Sequence, residues 1–320
     1  MNMTDSTLMV RVGKRRVEAD GIVGFEFVDV DGRDLPPFDA GAHIDVYVPG
    51  ALLRQYSLCN APSERHRYQI AVLRDPESRG GSKSMHDAVR EGDAIRIGVP
   101  RNHFPLAQHG AKPLLLAGGI GVTPILCMAE QLAASGAAFE MHYCARSRSR
   151  AAFVERIDAS PWAGSVQYHF DDEHGLVDLK ALLADANGQR HLYVCGPQGF
   201  MNAVLDTARA LGWTDGRLHY EYFAAAPAAG DGESFDVRLA SSGRVVTIPA
   251  GCPVTQALAK EGIDVPVSCE QGICGTCITR VLEGEPDHRD LFLSPEEQAR
   301  NDQFLPCCSR AKSKVLVLDL

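Results

Sequence analysis

Five of the ten cysteines fall between Cys269 and Cys308, and four of them stand as C-x4-C-x2-C-x29-C: Cys269, Cys274, Cys277 and Cys307. Three thiolates from one tight loop and a fourth from a distant strand are the donor set of a plant-type 2Fe–2S cluster. Gly272 and Gly275 inside the loop would let backbone N–H groups approach the sulfides. A zinc site more often pairs two short C-x-x-C elements, so a lone distal cysteine after a glycine-rich loop fits zinc poorly. Cys308 competes with its neighbour, but the spacing and the flanking Cys-x-Ser-Arg favour Cys307 as the ligand and leave Cys308 as a small buried neighbour. The remaining Cys59, Cys127, Cys144, Cys195 and Cys252 sit among apolar residues and read as buried free thiols. One metal site in a reducing compartment fits this distribution better than a disulfide framework.

Three further segments have the composition of a cofactor site. On a strand, Arg54-Gln55-Tyr56-Ser57 puts Arg54 and Tyr56 on one face, with Gln55 and Ser57 on the other. A planar redox cofactor needs an aromatic wall, a hydrogen bond to its reactive ring nitrogen and a cation for phosphate; taken alone, the tetrapeptide is also compatible with an ordinary strand. Arg79-Gly80-Gly81-Ser82 opens a helix, where exposed N–H groups suit a phosphate and Ser82 can serve as the N-cap. Gly118-Gly119-Ile120-Gly121-Val122-Thr123-Pro124 departs from G-x-G-x-x-G because Pro124 replaces the last glycine. With Pro124 at the first helical position and Thr123 as cap, it still presents a helix N-terminus to a pyrophosphate.

The elements that must position these residues fall into three groups. Residues 1–104 alternate with period two over Ile44–Val48 and Tyr68–Val72, with one helix from Ser82 to about Arg90, which suggests an antiparallel β-barrel. Residues 105–225 alternate buried runs (Leu114–Ala117, Glu140–Cys144, Val166–Phe170, His191–Cys195) with helical stretches (Ile125–Ser135, Asp178–Asp185, Gly199–Leu211). That order predicts an α/β domain with a parallel sheet, and Cys195-Gly196-Pro197 would face the same crevice as the glycine turn. Small residues then form a linker over Ala224–Gly232, whose core is 226–232. Residues 233–320 restart with strands at Phe235–Leu239 and Val245–Ile248, a helix near Val254–Lys260 and a closing strand at Val315–Leu318, an α+β, ferredoxin-like (β-grasp) pattern.

Composition excludes several classes. The 320 residues carry a net charge of −9, heaviest in the C-terminal third, with no basic block, which argues against nucleic-acid binding. No apolar run reaches the ~20 residues of a membrane helix; Pro113–Leu126 is the best candidate and is broken by glycines. The N-terminus has no hydrophobic signal core, so the expected location is cytoplasmic. The histidines form no metal-ligand pattern.

In this order, Arg-x-Tyr-Ser, Gly-Gly-Ile-Gly-Val-Thr-Pro, Cys-Gly-Pro and the C-terminal cluster motif resemble the phthalate dioxygenase reductase family over essentially the whole chain. The resemblance implies FMN in the barrel, NADH in the central domain and a 2Fe–2S cluster at the C-terminus. It implies that Tyr56 packs on the isoalloxazine, that Ser57 sits near its N5, and that Arg54 with Gly80, Gly81 and Ser82 holds the FMN phosphate. Gly119, Gly121 and Thr123 would hold the NADH pyrophosphate, Cys195 would line the nicotinamide pocket, and Phe223 of Glu221-Tyr222-Phe223 would cover the other flavin face. Asp171 would repel a 2′-phosphate, whereas Arg146 could attract one, so the preference for NADH rests on the resemblance. The implied function is the reductase component of a two-component, Rieske-type oxygenase. Hydride transfer itself requires no acid–base side chain, so no catalytic residue is expected. Delivery to a haem monooxygenase is the alternative, and a non-catalytic redox sensor a more distant one.

Overall fold

The structure is a computed structural model that describes residues 7–50, 52–76, 80–106, 112–184, 189–223 and 233–320. Arg79 and the expected linker over 226–232 lie outside the described residues. The chain divides into two compact units, Met1–Glu221 and Tyr222–Leu320.

The first unit opens with an antiparallel sheet: β1 (Thr7–Ala19), β2 (Ile22–Asp29), β3 (Ala42–Val48), β4 (Leu52–Ser57), β5 (Tyr68–Leu73), β6 (Ala94–Gly98) and the short β7 (Arg101–Asn102). Its order is β4-β3-β6-β1-β2-β5, with β7 paired to β3. The end strands β4 and β5 approach each other, but among the described residues no ladder joins them, so the expected barrel is open along this seam. Alternation buries Ile44, Val46 and Val48 on one face of β3 and Phe25 and Phe27 on β2. Helix α1 (Gly81–Ala88) packs near the seam against β3, β4 and β5, burying Met85.

A parallel sheet follows: β8 (Leu114–Gly118), β9 (Glu140–Ala145), β10 (Val166–Phe170), β11 (Leu192–Cys195) and β12 (Leu218–Glu221). The helices between them are α2 (Val122–Ala134), α3 (Val154–Asp158), α4 (Asp171–His174), α5 (Leu179–Leu182) and α6 (Gln198–Ala210). The order β10-β9-β8-β11-β12 reverses direction between β8 and β11, which makes the ends of those two strands the topological switch point. Leu114, Leu115, Leu116 and Ala117 are fully buried, as a central parallel strand covered on both faces must be.

The second unit carries β13 (Phe235–Leu239), β14 (Val245–Ile248), α7 (Val254–Lys260), β15 (Thr279–Glu283), β16 (Pro286–Asp287), α8 (Pro295–Arg300), β17 (Gln303–Phe304), β18 (Arg310–Ala311) and β19 (Val315–Leu318). The main sheet runs β14-β13-β19-β15-β17, with β13 and β19 parallel. Val254, Ala257 and Leu258 of α7 seal its core against Phe235, Val237, Ile248 and Leu316. A second, smaller apolar cluster holds Cys277, Leu293, Leu305 and Cys307.

Three local expectations shift. Gly80, not Ser82, takes the cap position of α1, because its φ of 95° is one a glycine adopts freely, and the Ser82 hydroxyl instead accepts from the Asp75 N–H at 3.2 Å. The second helix starts at Val122, preceded by a 3₁₀ turn over Gly119–Gly121, so Pro124 is its third residue and Thr123 lies inside it. Cys252 is half-exposed, unlike the four buried thiols grouped with it.

Candidate functional site

The first cluster of site residues forms around β4. Its register opposite β3 pairs Val46 with Arg54, Ile44 with Tyr56, Asp45 with Gln55 and His43 with Ser57. Gln55 donates to Asp45 at 3.1 Å, and Asp45 accepts from Arg101 at 2.6 Å, so this face of the pair is polar inside. On the other face, Arg54 runs along α1: a Cβ at Gly81 would meet the Arg54 side chain at 2.5 Å. Glycine at 81 is what lets the Arg54 guanidinium lie beside the turn that opens α1. Tyr56 is half-buried, and burial pushes its phenol above the usual range.

The second cluster is the switch point. A Cβ on Gly121 would fall 2.2 Å from the Cys195 carbonyl oxygen and 2.6 Å from the Gly196 nitrogen. Cβ atoms on Gly118 and Gly196 would each strike the Phe200 ring at 2.7 Å. These glycines therefore permit two strand-to-helix turns to touch, so that the N-termini of α2 and α6 open on one crevice. Thr123 is buried and its hydroxyl donates to the Ile120 carbonyl at 3.1 Å, which leaves backbone N–H groups as the anion donors of this turn. Asp171 begins α4 directly after β10, and the Asp172 N–H donates to the Arg146 carbonyl at 3.2 Å, so the two candidate ribose readers stand on adjacent turns.

Between the two clusters lies a polar group, buried except for the partly exposed Glu221, that the sequence reasoning did not identify. Cys195 on β11 is the register partner of Glu221 on β12. Ser57 donates to Glu221 Oε2 at 3.2 Å, and His43 Nδ1 stands 4.0 Å from Glu221 Oε1. Burial raises the Glu221 carboxyl to about 8, against a lowering by the Ser57 hydrogen bond. Burial also lowers His43 to about 4, aided by His103 and Arg101. Burial, then the Glu221 charge, keeps the Cys195 thiol protonated. The available signal was polar residues at 43, 45, 55 and 57, all on the same face of a strand pair flanked by buried apolar residues. Phe223 follows the last strand and belongs to the second compact unit.

In that second unit the loop between α7 and β15 gathers the cysteines. Cys269, Cys274, Cys277 and Cys307 are all buried, and their thiols contact one another: Cys269 with Cys274 and Cys307, and Cys277 with Cys307. The Cys269 thiol, then burial, pushes Cys274 upward, the mark of sulfurs crowded together. Such a set is unfavourable as thiols and favourable as ligands. The loop takes left-handed backbone at three positions, strained at Glu270 (φ 55°) and freely adopted at Gly272 (72°) and Gly275 (70°). A Cβ at Gly275 would strike the Phe292 ring at 2.3 Å, and one at Gly272 would meet Cys308 Sγ at 2.4 Å. Cys308 thus packs on the loop beside the four sulfurs. Beneath it, Leu291 N–H donates to Gly272 O at 3.0 Å, and buried Asp290 accepts from Leu293 N–H at 2.8 Å and from Ser309.

Residues 237–312 match the family described as 2Fe-2S iron-sulfur cluster binding domain, and residues 95–218 match the dimethylamine monooxygenase subunit DmmA-like N-terminal domain. The chain is 57% identical over 315 residues to a vanillate O-demethylase oxidoreductase of Pseudomonas sp. (strain HR199 / DSM 7063), covering 97% of this chain and 99% of the relative. It is 41% identical over 320 residues to the phthalate dioxygenase reductase of Burkholderia cepacia, covering 99% and 98%. A solved phthalate dioxygenase reductase superposes with a TM-score of 0.79 at 41% identity over 98% of both chains. An intact type IV self-sufficient cytochrome P450 monooxygenase gives 0.84 at 40% identity, with 98% of this chain spanning 41% of that one. An antiparallel flavin sheet, a parallel nucleotide sheet and a cysteine-loaded C-terminal unit, matched over nearly full length, leave one assignment: the chain belongs to the phthalate dioxygenase reductase family and is an NADH-dependent flavin and iron–sulfur oxidoreductase, the reductase component of an oxygenase system.

Proposed function

We propose that this chain oxidises NADH on FMN and hands single electrons through a 2Fe–2S cluster to a Rieske-type terminal oxygenase. The crowding of the buried Cys269, Cys274 and Cys277 thiols of one loop against Cys307 from a distant segment carries the reading. When bound, FMN accepts both electrons of a hydride and releases them singly, and the cluster carries one at a time. Cys307 is the fourth ligand, and Cys308 packs against Gly272. Arg54, with the Gly80–Gly81–Ser82 turn, holds the single phosphate of FMN. Tyr56 walls one face of the ring, and Ser57 faces its reactive nitrogen. The turn over Gly119–Gly121 with Thr123 binds the NADH pyrophosphate through backbone N–H groups, Cys195 lines the nicotinamide pocket, and Asp171 disfavours a 2′-phosphate. We assign 1–104 to the flavin domain, 105–225 to the nucleotide domain, 226–232 to a linker and 233–320 to the cluster domain. Ten cysteines without a disulfide suit a reducing cytoplasm, and no described helix is long and apolar enough to cross a membrane.

The relatives named vanillate O-demethylase oxidoreductase make a vanillate-demethylating oxygenase the first partner to test. The similarity to part of a cytochrome P450 monooxygenase favours haem as the second; reduction of each candidate by the purified reductase decides between them. The reading itself is tested by Cys274→Ser. This variant should lose the visible and EPR signals of the cluster, still release FMN on acid treatment, still bleach its flavin with NADH and still reduce a small dye. Delivery to the oxygenase or to cytochrome c should collapse, whereas Cys308→Ser should keep it. Partner reduction surviving in Cys274→Ser, or FAD in the acid extract, would show the reading wrong.

A further inference from the structure

A cluster that gains an electron gains a negative charge, and the charges buried around it decide how readily it does so. The second unit buries one acid close to the cysteine loop. Asp290 follows β16 with its side chain fully enclosed, and a Cβ at Gly272 would come within 3.1 Å of Asp290 Cα. Oδ2 accepts from the Leu293 N–H at 2.8 Å, and Oδ1 accepts from the Ser309 hydroxyl at 3.3 Å. Ser309 Oγ in turn accepts from the Arg289 N–H at 3.1 Å, so its own hydrogen is free for Asp290. Both acid oxygens therefore accept, the pattern of a carboxylate. The Leu291 N–H donates to the Gly272 carbonyl at 3.0 Å. One short stretch, 289–293, thus ties the loop of three cysteines to the segment that carries Cys307. The neighbouring guanidinium groups are engaged elsewhere. Arg289 holds Asp287 at 2.7 Å, and Arg310 reaches the Cys252, Glu233 and Pro249 carbonyls at 2.8, 3.1 and 3.1 Å. His288 does approach, with Nδ1 3.5 Å from Oδ1, but neither of its ring nitrogens is hydrogen-bonded.

We propose that Asp290 is a positioning residue of the iron–sulfur centre whose buried charge also holds the reduction potential of the cluster low, so that the electron passes outward to the acceptor protein. This rests on the seat of the cluster at Cys269, Cys274, Cys277 and Cys307. The flavin is oxidised by one electron as the cluster is reduced by one, and the cluster is reoxidised as the acceptor takes that electron; no bond forms or breaks. A fixed negative charge in low-dielectric surroundings disfavours adding another beside it. The same carboxylate keeps Ser309, two residues beyond Cys307, in place against the loop, so one side chain supplies both the charge and the geometry.

Asp290→Asn separates the two roles, since its amide can accept from Leu293 and turn its NH2 to the Ser309 oxygen while carrying no charge. In the complete holoprotein, an EPR-monitored redox titration should find the Asn cluster easier to reduce. Its equilibrium with a reference dye should shift about tenfold, or about 59 mV for one electron. Asp290→Ala loses the bonds as well, and should surrender its iron to a chelator about tenfold faster than the Asn variant. Ser309→Ala keeps the charge and cuts one bond, so its potential should stay near that of the wild type. Asp290→Ser, small and uncharged, takes the place of the Asn variant if that does not fold. A wild-type potential in the uncharged variants, or an equal rise in Ser309→Ala, would overturn the electrostatic role. A wild-type rate of iron loss in Asp290→Ala would overturn the positioning. A wild-type holoprotein with no 2Fe–2S EPR signal on reduction would instead remove the cluster assignment beneath both.

Discussion

His43 and Glu221 pull protein stability in opposite directions as pH changes. Native Glu221 holds its proton to about 8 against an ordinary 4.5, so between those values the folded state binds the extra proton and stability falls as pH rises. Native His43 stays neutral down to about 4 against an ordinary 6.5, so there the unfolded state binds the extra proton and stability grows with pH. The two slopes cancel between 4.5 and 6.5, and Glu221 acts alone from 6.5 to about 8. In that window Glu221→Gln should remove up to about 1.4 kcal/mol of loss per pH unit. Urea unfolding followed by fluorescence of Trp162 and Trp213, both in the first unit, measures it; an unchanged slope would contradict the assignment. Asp171 tests a different selectivity. Facing a 2′-phosphate, its carboxylate should cost NADPH about 1–3 kcal/mol, roughly ten- to a hundredfold in kcat/KM. Asp171→Ala should narrow the NADH/NADPH ratio accordingly, and a fixed ratio would reassign the choice to the adjacent turn that carries Arg146.

At the level of elements, the switch-point turns depend on contact between two backbones. Gly121→Ala would push a methyl group into the Cys195 carbonyl, so the turns must part, costing about 1–3 kcal/mol and weakening NAD⁺ binding. Gly119→Ala has open space at its Cβ and faces only its φ of 53°, about 1–2 kcal/mol, with less effect on the nucleotide. Thermal unfolding and NAD⁺ titration of the pair should separate these costs, and equal NAD⁺ affinities would argue against the shared crevice. The sequence made most of these elements readable. Strands Val166–Phe170, Phe235–Leu239, Val245–Ile248 and Val315–Leu318 and helix Val254–Lys260 match their expected bounds, because each is a short apolar run or a periodic pattern set between turn residues. Helix starts were less readable: α2 begins three residues before Ile125, since a 3₁₀ turn and Thr123 bonding to Ile120 extend the coil inward. The His43–Glu221 contact was invisible for another reason. It joins residues 178 positions apart on different sheets; Glu221 opens the Glu221-Tyr222-Phe223 motif, but His43 sits in none.

At the scale of the whole molecule, the second unit separates two kinds of packing. The sheet core of Phe235, Val237, Ile248, Val254, Leu258 and Leu316 contains none of the four clustered cysteines, and the apolar patch with Cys277 and Cys307 is a distinct group. Stripping the cluster with a chelator and oxidant should therefore erase its colour while leaving strand content in circular dichroism close to that of the intact protein. Collapse of the strand signal would show instead that the metal nucleates the sheet. This division bears on wear. A reductase that feeds electrons into oxygen chemistry meets damaging oxidants, and the iron–sulfur cluster is the part most easily lost. Because the sheet holds its shape through its own side chains, a molecule that has lost its iron is an empty socket and not an unfolded chain. Where the sheet survives that loss, iron and sulfide can refill the socket without a new chain being made.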